Sequence, residues 1–163
     1  MTHANHRVAE LTKTALVAAL YVVLTVAFIP LSYGPIQFRF SEMLNNMAIF
    51  NKRYIWGVTI GCLIANLWSS MGPIDMIFGT AQTLVMTWLS WLISQRLKSL
   101  PAKLGVVIVV CTLMSWAVAL ELNLVGDAPF WLTYLTVGIG EFTTVTLGAV
   151  VTWLLNKKID LSL

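Results

Sequence analysis

Apolar stretches at about 13–31, 41–51, 54–71, 75–100, 103–123 and 129–156 take up about three quarters of a 163-residue chain. A bilayer-crossing helix takes about 20 residues, so six need about 120 and leave little for loops and tails. Only 10% of the residues are charged and 58% are hydrophobic, where a soluble domain carries about 25% charged residues. With a mean hydropathy of +0.83 the chain has too little polar surface to cover a water-exposed globule. An ordinary cytosolic enzyme is excluded. The expectation is an all-α membrane protein: one transmembrane domain over 1–163, a six-helix bundle without a soluble domain, linker, internal repeat or low-complexity tract.

Proline and glycine punctuate the stretches. Pro30 stops the first, with Pro35 close behind; Gly72-Pro73 closes the third, and Pro101 ends the fourth. Arg7 and Lys13 ahead of the run from Ala15 to Leu31 imitate a signal peptide, but Leu31, Ser32 and Tyr33 make a poor cleavage site. The run reads as a retained first helix. Cys62 and Cys111 lie in separate apolar runs and read as small buried hydrophobes.

Charge sets the orientation. With six helices, one side collects Arg7, Lys13, Lys52, Arg53, Arg96, Lys98, Lys103, Lys157 and Lys158, and the other holds Arg39. Basic residues accumulate on the cytoplasmic side, so the expectation is a multi-pass protein of the cell membrane with both termini cytoplasmic. Glu42, Asp75, Glu121, Asp127 and Glu141 belong to the outer loops or to the helices leading in from them. Such a set against one arginine favours a cationic or donor-rich ligand. Helix-start chemistry accounts for part of it, since Asp75 and Asp127 stand where N-caps belong and Glu42 follows Ser41 in a first turn.

The second stretch is too short. Its eleven residues rise about 16 Å against a hydrocarbon core of about 30 Å, so the preceding loop dips into the bundle. Irregular backbone at that depth must be packed in protein or line a wet cavity. From Gly34 to Glu42 the chain alternates, with Ile36, Phe38 and Phe40 on one side and Gln37, Arg39 and Ser41 on the other. An extended segment would turn that polar edge inward.

Glu141, near the middle of the last helix, is the strongest single signal. A carboxylate at mid-membrane costs about 2.5–3.5 kcal/mol and faces a cavity or a partner, Arg39 being one possible partner. Tyr134 and Gly138 fall close to its face, and Trp131 is less well aligned; the aromatics suit stacking or an interfacial belt. Asp75, Gly79 and Gln82 share a stripe, Glu42 shares a face with Asn45 and Asn46, and Asn66 lies in the outer half of the third helix. The polar groups therefore gather in the outer halves, as around a pocket opening outward. Ala15 and Ala19, like Gly57 and Gly61, form small faces suited to close helix approach. The sequence carries no G-x-x-x-x-G-K-[ST] loop and no H-E-x-x-H, and both histidines, His3 and His6, are in the N-terminal tail. ATP coupling and the usual hydrolase chemistry are therefore not expected in this chain. The charge balance needs no nucleic acid.

The run Gln37-Phe38-Arg39-Phe40-Ser41-Glu42, with Gly61-Cys62-Leu63-Ile64-Ala65-Asn66, Asp75-Met76-Ile77-Phe78-Gly79-Thr80 and Gly140-Glu141, resembles the QueT family over most of the chain. Those proteins are S components of energy-coupling factor (ECF) transporters, assigned to queuosine precursors. The resemblance implies a six-helix S component binding a 7-deazaguanine such as preQ1 from outside. It also implies a transmembrane coupling subunit (EcfT-like) and two cytoplasmic ATPases as partners. Val23 stands where a third small residue would continue the Ala15–Ala19 face.

The expected ligand contacts are Glu42, Asn66, Asp75, Gln82 and Glu141, with Arg39 orienting the carboxylates and Tyr134 and Trp131 stacking. Ala15 and Ala19 are the expected docking face, and no metal or cofactor is expected. The reading is a transport subunit rather than an enzyme. An S component for another cationic or heterocyclic vitamin is the alternative within transport, and a small intramembrane lipid-modifying enzyme the alternative outside it. The orientation is testable alone: a Lys158→Cys variant should resist thiol reagents applied from outside, and labelling there would overturn it.

Overall fold

The computed structural model describes residues 3–34, 36–69 and 71–161, with side chains from residue 7. Pro35 and the side chains of His3 and His6 lie outside the described residues. Among those described, the fold is entirely helical: α1 (His3–Ala27), the single-turn α2 (Ile29–Ser32), a 3₁₀ helix (Phe40–Ile49), α3 (Lys52–Ala65), a 3₁₀ turn (Asn66–Trp68), α4 (Pro73–Ser94), α5 (Leu100–Met114), α6 (Trp116–Gly126) and α7 (Phe130–Asn156).

Several boundaries differ from those expected. The first helix starts at His3 and ends ahead of Pro30, which sits inside the separate turn α2. The fourth stops at Ser94, ahead of the Arg96–Lys98 charges, and its N-cap is Gly72, which leaves Asp75 in the first turn rather than at the cap. The expected fifth helix is two, α5 and α6, parted at Ser115, whose hydroxyl donates to the Cys111 carbonyl at 3.5 Å. Back-bonding of this kind bends helices. Asp127 is not an N-cap either: α6 runs on to Gly126, so Asp127 closes it in a left-handed conformation (φ 52°) and Pro129 takes the cap of α7.

Among the described residues, four helical stretches are long and apolar enough to cross a membrane: Arg7–Ala27, Pro73–Ser94, Leu100–Gly126 and Phe130–Asn156. Six were expected. The 14 residues of α3 rise only about 21 Å, and the 10 of the 3₁₀ helix about 20 Å.

Large apolar side chains such as Leu16, Val23, Ile77, Leu135 and Val150 point outward, while Thr25, Asn45, Asn46, Asn66, Thr87, Ser90 and Thr144 are fully buried. That distribution suits lipid outside and interhelical hydrogen bonds within. One end of the bundle gathers the two termini. There Arg53 pairs with Glu10, the Tyr54 hydroxyl donates to the Leu161 carbonyl at 3.2 Å, and Lys52 sits 4.4 Å from the Trp91 ring. The opposite, loop end holds residues 28–34, 36–39, 66–69, 71–72 and 127–129.

Close backbone approaches seat the irregular segments. A Cβ on Gly148 would stand 2.5 Å from Cα and O of Met43 in the 3₁₀ helix, and one on Gly140 would run into the Ile36 carbonyl. The side of α7 is thus the bed on which the dipping loop and the 3₁₀ helix lie. Gly57 and Gly61 likewise admit α1, with Thr14, Val17, Ala18 and Tyr21 against them. Ala15 and Ala19 are on the exposed side of the same helix.

Gly148→Ala should therefore lower stability by about 1–3 kcal/mol, because backbone must move. Gly105→Ala, where a Cβ meets nothing within 4 Å, should hold or raise it. Thermal unfolding of the detergent-purified variants checks the contrast.

Candidate functional site: a polar cavity around Arg39

The loop that leads into the 3₁₀ helix delivers the polar edge foreseen in its alternation, although no strand forms among the described residues. Arg39 and Ser41 are buried and Ile36 is exposed. Phe38 and Phe40 pack ring on ring at 5.2 Å, and Phe28 covers Phe40 at 4.8 Å. Ser41 accepts from the Thr25 hydroxyl at 2.7 Å. Gln37 reaches this geometry with φ 49°, a left-handed conformation unusual for a residue with a side chain.

Arg39 is 7% exposed, lies 3.9 Å from the Glu42 carboxylate and covers the Tyr33 ring at 4.9 Å. Glu42 also accepts from the Tyr21 hydroxyl and the Asn45 amide. One carboxylate thus draws on α1, the loop and the 3₁₀ helix, and its lone pairs are well supplied. The carboxylate within ion-pair distance of Arg39 is Glu42, not Glu141.

Gln37, Arg39, Glu42, Gln82, Thr83 and Glu141 face one cavity of about 20 Å³, closed by Gly79, Met86, Val118 and Val137. That is space for about one water, against several hundred Å³ for an organic-ligand pocket. Two of its acceptors, Gln82 Oε1 and Glu141 Oε1, are buried without a hydrogen-bond partner. Unmet acceptors in so dry a place are costly unless a donor arrives. Gln37 also lines a cleft of about 390 Å³ at the loop end, with Tyr33, Leu122, Thr133 and Thr136. It is the side chain shared by the two spaces.

Arg39, Glu42, Gln82 and Glu141 are therefore brought together, and Gln37 and Thr83 join them. Gln37 was visible on the polar edge of the loop; Thr83 gave no signal of its own. Asn66 and Asp75 meet each other instead. The Asn66 amide donates to the Asp75 carbonyl at 3.0 Å, and its oxygen accepts from Tyr33 at 3.3 Å, tying the end of α3 to the start of α4. Asp75 is buried one turn before Gly79, outside the cavity lining.

The aromatic pair does not join. Trp131 is 77% exposed, and Tyr134, at the edge of the buried stripe of α7, spends its hydroxyl on the Leu113 carbonyl at 3.3 Å. Both line an apolar outer groove with Leu135 and Phe142. Spacing placed Tyr134 close to the angle of Glu141, but α5 occupies that direction at its level.

A multi-pass helical membrane protein with a buried polar site is the class these features define. The sequence profile of the QueT transporter family matches residues 11–157. A queuosine precursor transporter from Lactococcus lactis subsp. cremoris (strain MG1363) is 41% identical over 162 residues, covering 94% of this chain and 95% of its own. No solved structure matches the chain. The chain belongs to the QueT transporter family, and it is a transport protein rather than an enzyme.

Proposed function

We propose that the chain is the substrate-binding S component of an ECF-type importer, taking up a queuosine precursor, a 7-deazaguanine such as preQ1, from outside the cell. The observation that carries this reading is the pair of unmet acceptors, Glu141 Oε1 and Gln82 Oε1, beside the buried Arg39 guanidinium, at a cavity that must widen from its present one-water size to admit the ligand. A guanine-like edge offers adjacent N–H donors, which a carboxylate accepts strongly. Arg39, Gln37 and Thr83 can in turn donate to a ring carbonyl. The name of the Lactococcus relative points to the same ligand class.

In this reading six segments traverse the bilayer. The dipping loop completes the crossing of the 3₁₀ helix, and the Asn66–Trp68 turn extends α3. The loop end faces outward and the termini inward, with Lys52 over Trp91 and Lys157 over Trp153 marking the inner interface. Asn66 and Asp75 shape the outer rim, while Trp131 and Tyr134 meet lipid. ATP is hydrolysed on two cytoplasmic partner subunits, and Ala15 and Ala19 meet the transmembrane coupling subunit. Both alanines are exposed on α1, where Cβ-only side chains let a second helix approach closely.

Glu141→Gln should weaken binding of a 7-deazaguanine by about 2–5 kcal/mol where the carboxylate meets a desolvated charge, and less where it accepts neutral N–H groups. Calorimetry on the purified variant checks this, and unchanged affinity would make the residue structural. A second expectation concerns coupling. With Ala15→Trp and Ala19→Trp combined, the isolated protein should bind ligand as before while ATP-driven uptake with its partners falls. Normal uptake removes this face from coupling, and loss of binding as well makes it internal.

A further inference from the structure

A second acidic level lies beside the cavity, toward the loop end. Glu121 is 1% exposed, and neither of its carboxylate oxygens has a hydrogen-bond partner. On α6 it follows Val118, which lines the cavity, by three residues, and precedes Leu122, which lines the loop-end cleft, by one. Residues three apart share a helix face, so this carboxylate stands one turn nearer the loop end than the cavity. Asp75 occupies the matching level on α4, buried and one turn before Gly79.

Arg39 lies beside Glu42 at the cavity that both share with Glu141, while Asp75 and Glu121 are buried one turn nearer the loop end. One guanidinium faces four carboxyl groups, and a buried carboxylate without a partner is strongly disfavoured. Glu42 is already supplied by Tyr21, Asn45 and Arg39. Glu121 has no such supply, although its side chain is closed off from solvent. An acceptor this isolated needs a donor brought from outside, and a cation serves it best.

We propose that Glu121, together with Asp75, forms the cation subsite of the ligand pocket and takes the charged amine arm of the ligand, while Glu141 and Gln82 hold the ring edge. The assignment rests on the reading of the cavity as a 7-deazaguanine site. One helical turn, about 5.4 Å, separates the two levels. A fused bicycle held by its amide edge projects a side arm over that kind of distance. A ligand of the same ring with a neutral arm leaves the acidic pair unmet, so the subsite selects for charge.

The test uses two probes on the purified full chain, 7-aminomethyl-7-deazaguanine, which is cationic, and its neutral 7-cyano counterpart. The unmodified protein should favour the amine by about tenfold or more, and Glu121→Gln should weaken amine binding about 10- to 100-fold. The same variant should leave cyano binding within about threefold, which also shows that it is folded. An unchanged amine affinity, or an equal loss for both probes in a folded variant, overturns the subsite. Should Glu121→Gln fail to fold, Glu121→Asp carries the test. Its shortened carboxylate should lower the amine-to-cyano ratio, and an unchanged ratio overturns the proposal. If the unmodified protein binds neither probe, the 7-deazaguanine reading falls and the subsite falls with it. Equal binding of both probes by the unmodified protein overturns the subsite alone.

Discussion

Glu42 is the group on which the interior depends. Its carboxylate is taken out of water into an apolar bundle, a transfer that is prohibitive without compensation. The compensation comes from Tyr21 on α1, Asn45 one turn along its own helix and Arg39 from the loop. Three separate stretches of chain are thereby held to one point. Each also brings an apolar partner: Tyr21 packs with Val58 and Cys62, and the loop brings Phe38 and Phe40 against Phe28. The charge cluster specifies register, and the apolar contacts around it supply most of the cohesion.

The bilayer sets the second condition. Backbone that is neither helix nor closed sheet must be hidden from lipid, and the carbonyls of Ile36 and Gln37 lie against α7 at Gly140. Gly140 and Gly148 make this possible by leaving backbone surface bare where side chains would stand. Glu141, next to one of these glycines, is delivered to the cavity by the same approach. Close packing and ligand chemistry thus come from one short stretch of α7.

Much of this was readable in the sequence. The alternation from Ile36 to Ser41 foretold an extended loop with Arg39 inward, and an isolated carboxylate at 141 foretold a buried site. The parts that were not readable depend on neighbours. Periodicity gives the angle of a side chain about its own helix but not which helix lies opposite, so Tyr134 could be placed near Glu141 and still be spent on α5. Glu121 was grouped with the acids of the outer loops and the helices leading in from them, on a helix expected to stop at 123. With α6 continuing to Gly126, it lies well inside. Asp127 was misplaced for the same reason.

Cys62 is fully buried and sits at the wall of this region, 3.3 Å from the Thr83 hydroxyl and 3.5 Å from the Asn66 amide. Cys111, the other thiol, is equally buried, among Met86, Val107 and Val145. The natural protein is therefore chemically silent toward maleimides at rest. An alkylating reagent reaches Cys62 only once the packing around Thr83 and Asn66 opens, so the rate of its modification is a clock for the breathing of the site. No foreign label has to be introduced to read it.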